Sequence, residues 1–179
     1  MCKWFKEMDC YLLTGEETRS KHRLTPFDKR AKLELSFRSY AAVFDNVKLV
    51  IKKQQAKEEF LNFPHVCEKG EKNQSVVSIA EAVEDAKSEA LFIGSTDIYD
   101  FPLSLLARLL KSYNGETFLG YASPSDTNSS QPLFGIYNKK FAKNILKKND
   151  EDITIEDFLT GDIKLIPLPD DIDSACIGL

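Results

Sequence analysis

Residues 90–110 read ALFIGSTDIYDFPLSLLARLL, and in that order they spell a buried strand, a turn carrying a carboxylate, and a helix. Ala90, Leu91, Phe92 and Ile93 form the short apolar run of a strand covered on both faces in a parallel sheet, and Gly94-Ser95-Thr96 breaks it. After the turn, Leu103, Leu106 and Leu110 recur at helical spacing. Pro102 suits the first helical turn because its φ is already fixed near the helical value, and Asp100 is the expected cap. Asp97 falls at the carboxyl end of the strand. Ligands of open α/β sheets collect outside the carboxyl ends of the strands, so a carboxylate there is placed to hold a metal. The competing reading is an aspartate that only closes the turn.

Upstream, Cys10-Tyr11-Leu12-Leu13 makes a first apolar strand that runs into the polar segment 14–23, TGEETRSKHR. Gly15 directly after a strand, with Arg19, Lys21 and Arg23 behind it, lets backbone amides and cations approach a polyphosphate; a solvated loop with scattered charge competes with this reading. Residues 31–44 put Leu33, Phe37, Tyr40, Ala41 and Phe44 on one helical face, and 47–51, VKLVI, supply a second strand. A strand, helix, strand unit of this length has a right-handed crossover and parallel strands. A short helical stretch at 56–60 and a third strand at 64–67 follow, with Glu68 just past it and His65 read as a partly buried strand residue. Residues 75–87 place Val76, Ile79, Ala80, Val83 and Ala86 on one face, for packing against the sheet.

Downstream of the central stretch, 116–122 alternates as a strand near one side of the sheet, and 123–130, SPSDTNSS, reads as a loop. Residues 132–137 resume as strand and 141–146 as helix; Lys139, Lys140, Lys143, Lys147 and Lys148 read as a solvated surface of that helix. A helical turn at 155–159 and a last strand at 163–168 complete the pattern. The alternation predicts a three-layer α/β/α fold with a mainly parallel sheet and Ala90 to Ile93 in its middle, residues 1–179 forming a single domain.

A chain of 179 residues with 42% hydrophobic content can bury a sizeable core. Its net charge of −4 argues against sequence-independent nucleic-acid binding, which needs a basic face for phosphates. Cys2, Cys10, Cys67 and Cys176 show neither CxxC pairing nor a histidine at ligand spacing, so reduced thiols of a cytoplasmic protein are expected, without zinc or disulfides. No apolar run approaches the roughly 18 residues that a membrane span needs, so no membrane association is expected.

The order of Leu13-Thr14-Gly15, Leu24-Thr25-Pro26-Phe27, VKLVI, FIGSTDIYDFP and Gln131-Pro132-Leu133-Phe134-Gly135-Ile136-Tyr137 resembles the molybdenum cofactor guanylyltransferases over nearly the whole chain. The resemblance implies a Rossmann-like, nucleotide-diphospho-sugar transferase-like fold. It also implies transfer of GMP from GTP to molybdopterin, with release of pyrophosphate and magnesium as cofactor. Molybdoenzymes or other cofactor-biosynthesis proteins would be its protein partners. On this resemblance Asp97 matches the family's metal-holding and catalytic aspartate. Leu13, Thr14 and Gly15 open the nucleotide-binding loop, and Glu68 stands where an acidic residue follows the third strand. There it would accept hydrogen bonds from the ring N–H and amino group of guanine, an edge that adenine lacks.

Glu16 occupies the place of the family's second glycine, and the loop is shorter than the usual spacing by about three residues. Arg19, Lys21 and Arg23 are therefore all candidates for the phosphate cation, with Arg23 preferred because it precedes Leu24. The last residues, 174–179, stand where family members continue with an asparagine-bearing turn and a final helix. Two readings follow: a guanylyltransferase using Arg23, Asp97 and magnesium, and a noncatalytic module of the same fold that binds a nucleotide or molybdopterin. A nucleotidyltransferase with another acceptor is a third.

Overall fold

Alternation along the first strand, β1 (Asp9–Leu13), separates the layers, because successive side chains of a strand point to opposite faces. Cys10 and Leu12 join one apolar core and Tyr11 and Leu13 the other, so a strand buried at all five positions is sandwiched rather than half-exposed. The computed structural model describes residues 7–14, 26–52, 62–69, 75–123, 131–147 and 153–179. The helical stretch expected at 56–60, and Gly15 to Arg23 of the first loop, lie outside the described residues.

Helix α1 (Pro26–Ala41) leads to β2 (Asn46–Ile51) and the short strand β3 (His65–Cys67); helix α2 (Ser75–Asp85) leads to β4 (Ala90–Ser95), and helix α3 (Leu103–Ser112) follows. Strands β5 (Phe118–Ala122) and β6 (Phe134–Asn138), helix α4 (Lys139–Leu146), a 3-10 turn at Glu156–Leu159, strand β7 (Ile163–Pro167) and a second 3-10 turn at Ser174–Ile177 complete the order. All seven strands form one sheet in the order β3-β2-β1-β4-β6-β5-β7, with β4 at its centre. Strand β6 alone runs antiparallel, to β4 and β5; β1 with β2, β1 with β4, β2 with β3 and β5 with β7 are parallel. The mainly parallel sheet and its central strand are thus as the sequence pattern predicts.

Helices α1 and α3 cover one face. Tyr40, Phe44, Leu105, Leu106 and Leu109 pack there on Leu12, Leu49, Phe92 and Phe134. Helices α2 and α4 cover the other, with Ile79, Ala82, Val83 and Ala142 against Tyr11, Val50, Ile93 and Tyr137. Leu105, Leu106 and Leu109 are almost fully buried, and each such side chain contributes about 1.5–3 kcal/mol of burial free energy. Leu33 is buried while Leu35 is 55% exposed, which settles the ambiguous Leu33-Glu34-Leu35 as helix. In α2 the buried face runs through Ser78, Ile79, Glu81, Ala82 and Val83, and Ala80 is only half-buried.

One local expectation is corrected. Asp100 does not cap α3: Pro102 itself is the N-cap residue, with extended backbone and no side-chain hydrogen bond, and the helix begins at Leu103. A proline has no N–H to satisfy, and its fixed φ suits this extended entry as well as a first helical turn. The 3-10 turn at Ser174–Ile177 carries none of the periodicity used to find the other elements. Asp173 starts it by accepting from the Ala175 amide at 2.9 Å, and Ile177 is fully buried in the α1–α3 core.

Candidate active site

Strands β1 to β5 and β7, all but β6, point their carboxyl ends to one edge of the sheet. The register pairs Leu13 with Ser95, so Thr14 and Thr96 leave the sheet side by side. The Thr96 amide donates to the Leu13 carbonyl at 3.0 Å, and the Thr14 amide and hydroxyl donate to the Val50 carbonyl at 3.3 and 3.0 Å. The ends of β1, β2 and β4 are therefore tied together, and the amide of Thr14 is already committed to the sheet.

Asp97 follows one residue beyond Thr96 with its side chain 62% exposed, and its own amide donates to the Ser95 hydroxyl at 3.1 Å. Helix α1 fixes the turn that carries it. The Tyr40 hydroxyl donates to the Ile98 carbonyl at 3.3 Å and the Ser39 hydroxyl to the Tyr99 carbonyl at 3.2 Å. Burial, with the Cys10 thiol beside it, pushes the Tyr40 phenol well above the usual tyrosine range, so it stays protonated as a donor. Gly94 makes room for this contact: a Cβ there would lie 2.9 Å from the Tyr40 hydroxyl oxygen. Lys32, also on α1, reaches Asp97 with Nζ–Oδ1 at 3.4 Å while its Nζ sits 5.0 Å from the centroid of the Tyr99 ring.

Glu68 emerges from β3, its amide donating to the Ile51 carbonyl at 2.9 Å. Its side chain is 4% exposed and turned against α2, where the Ser78 hydroxyl donates to Oε1. Three strand spacings separate β3 from β4, which puts Glu68 and Asp97 about 14 Å apart along the edge. The structure therefore brings Leu13, Thr14 and Asp97 together and sets Glu68 apart from them. Lys32, Ser39, Tyr40 and Tyr99 are the contributors that sequence reasoning missed. The Lys32–Asp97 contact joins positions 65 apart, and no motif spans that gap.

Among the described residues no group of three or more His, Cys, Asp or Glu is arranged to enclose a metal ion. Asp97 offers a single accessible carboxylate beside a weakly held lysine. That donor set does not suit an all-protein cage. It fits magnesium, which is commonly bound through one or two carboxylates with the substrate's phosphate oxygens completing the shell. A shallow cavity of about 270 Å³ lies elsewhere, lined by Val66, Cys67, Lys69, Glu81, Glu84 and Asp85, and its acidic lining does not suit a phosphate. No helix among the described residues is long and apolar enough to cross a membrane.

The mixed, mainly parallel seven-stranded sheet with helices on both faces is a nucleotidyltransferase-type α/β fold. The family model of the MobA-like NTP transferase domain matches residues 16–162, and the chain belongs to that family. A curated relative from Aquifex aeolicus, described as a probable molybdenum cofactor guanylyltransferase, is 29% identical over 147 residues, covering 79% of this chain and 70% of the relative. Among solved structures, a protein from the same organism superposes with a TM-score of 0.70 at 22% identity, covering 90% of this chain and 86% of its own. Molybdopterin-guanine dinucleotide biosynthesis protein A from Archaeoglobus fulgidus superposes with a TM-score of 0.65 at 13% identity, covering 89% and 83%.

Proposed function

We propose that this chain is a guanylyltransferase that moves GMP from GTP to the phosphate of molybdopterin, releasing pyrophosphate. The observation that carries the proposal is the position of Asp97, exposed two residues beyond the end of the central strand and adjacent to the end of β1, after which residues 15–25 follow. Membership of the MobA-like family and the likeness to a probable molybdenum cofactor guanylyltransferase support it.

In this reading the acceptor's phosphate oxygen attacks the α-phosphorus of GTP. A new P–O–P link forms as the bond to the α,β-bridging oxygen breaks, and the electron pair leaves with pyrophosphate. Magnesium would supply charge neutralisation at the phosphate oxygens, and Asp97 would hold it there. Arg23 pairs with the polyphosphate and keeps the leaving group aligned; positioning and cations provide most of the acceleration in such transfers. Gly15 lets the backbone come close to the phosphates. Glu68 would have to turn outward from Ser78 on α2, where it is buried, to receive the guanine edge.

The second reading, a noncatalytic nucleotide- or molybdopterin-binding module, is favoured by Glu16, whose carboxylate stands in the place of the family's second glycine and would repel a triphosphate. Calorimetry with GTP, ATP and CTP, each with and without magnesium, together with pyrophosphate release in the presence of molybdopterin, separates the two. The guanylyltransferase reading expects GTP to bind best, with magnesium, and to be turned over. Asp97→Asn should weaken magnesium-dependent GTP binding at least about tenfold and abolish turnover while the thermal transition is unchanged. Magnesium-independent binding without turnover in the parent protein would select the module.

A further inference from the structure

We propose that Lys32 is an exchangeable partner of Asp97: it neutralises the carboxylate in the free protein and moves onto a phosphate oxygen of the nucleotide when a divalent cation takes the carboxylate over. The inference rests on the reading of Asp97 as the metal-holding residue and adds to it a phosphate-contacting lysine from helix α1.

The pair is built to separate. Its Nζ–Oδ1 distance of 3.4 Å is at the long end of a hydrogen bond, and Asp97 is 62% exposed, so water screens the attraction and little is lost when it breaks. The backbone on both sides is fixed. Ser39 and Tyr40, about two turns further along the same helix as Lys32, hold the carbonyls of Tyr99 and Ile98. Exchange therefore needs only a side-chain rotation.

The ammonium has a second hold that does not depend on Asp97. With Nζ 5.0 Å from the Tyr99 ring centroid, the face of the ring keeps the charge over this part of the edge after the carboxylate is taken. A divalent ion on Asp97 repels the lysine from the carboxylate, but it arrives with phosphate oxygens, which are better acceptors for an ammonium than water. Lysine suits such a move, being a compact charge on a flexible stem.

The two consequences have opposite signs, and that decides the experiment. Full-length Lys32→Met should bind manganese alone about three- to tenfold tighter, because a competing cation is gone, as read by water proton relaxation. The same variant should bind GTP in the presence of manganese at least about tenfold more weakly by calorimetry, because a phosphate cation is gone, and Lys32→Arg should recover most of that loss. A lysine that only supports the turn would not raise one affinity while lowering the other. Unchanged affinities, or shifts in the same direction, overturn the proposal. Asp97→Asn is measured in parallel. If it binds manganese as the parent does, the metal reading fails and the Lys32 exchange with it. If it loses manganese while Lys32→Met matches the parent for both ligands, the Lys32 exchange alone fails.

Discussion

Asp9 is 4% exposed at the start of β1, and its carboxylate is nonetheless kept charged. The amides of Lys87 and Ser88 donate to Oδ2 at 2.6 and 2.9 Å, and the Asn46 side-chain amide donates to Oδ1. Burial alone would raise its pKa; these donors outweigh it, and the net shift is downward from the usual aspartate value. A depressed folded pKa means that the native state holds fewer protons than the unfolded one, so this stabilisation is present above the ordinary aspartate range. It is lost as pH falls through the lower folded value. Asp9→Asn should cost about 2–3 kcal/mol near neutrality, since an amide group then faces amide donors. Denaturant titrations from pH 7 to pH 2 should show the gap between parent and variant narrowing as acid is added. A gap that stays constant would mean that Asp9 acts through shape and not charge. Nothing in the local pattern around Asp9 announces this role, because its partners lie 37 and about 78 positions away. Asp97, by contrast, is readable because strand, turn and helix are contiguous.

At the level of elements, the segments that were legible are those whose buried face is set by their own periodicity, as in β4 and α3. Where a partner from elsewhere decides the outcome, the pattern is silent. Strand β6 is the clearest instance: its apolar run reads as strand, but its antiparallel place between β4 and β5 depends on close approach at Gly135. A Cβ on Gly135 would lie 2.4 Å from Cε2 of Phe118 and 2.9 Å from the Leu119 carbonyl oxygen. Phe118 is fully buried and in edge contact with Tyr137, so its ring has little room to yield. Gly135→Ala should therefore destabilise by about 3 kcal/mol, towards the upper end for overpacking, and lower Tm by about 6–12 °C. Differential scanning calorimetry checks this; a change under about 1 °C would show that β5 and β6 adjust at little cost. The glycine was visible in the sequence within Phe134-Gly135-Ile136. Its meaning was not, since Phe118 stands in another strand.

Over the whole molecule, alternating strand and helix signals make the layers and the parallel direction of the strands legible, because parallel crossovers leave few arrangements open. The candidate site is legible only where it is local: Asp97 and Leu13-Thr14 are each proposed from one stretch, whereas the Lys32–Asp97 contact and the inward turn of Glu68 depend on packing. The return of the last residues to the core belongs to the same class. Ile177 is fully buried among residues of the α1–α3 core, with Leu168, Ile172, Cys176 and Leu179 packed against that core, and the Gln131 side-chain amide donates to the Gly178 carbonyl at 3.1 Å. Gln131 is also the residue from which the chain enters β6, its side-chain oxygen accepting from the Leu133 amide at 3.2 Å. The final turn thus closes the core next to the start of β6, which is paired with the carboxyl end of β4, Asp97's own strand. Ile177→Ala leaves a cavity in the core and should cost about 2–5 kcal/mol, lowering Tm by about 4–20 °C. GTP affinity with magnesium should stay within about twofold of the parent below the transition, because the changed side chain is fully buried and presents nothing to a ligand. If Tm is unchanged, the turn is not a structural closure of the core; if GTP affinity falls while Tm holds, residues 174–179 belong to the nucleotide site.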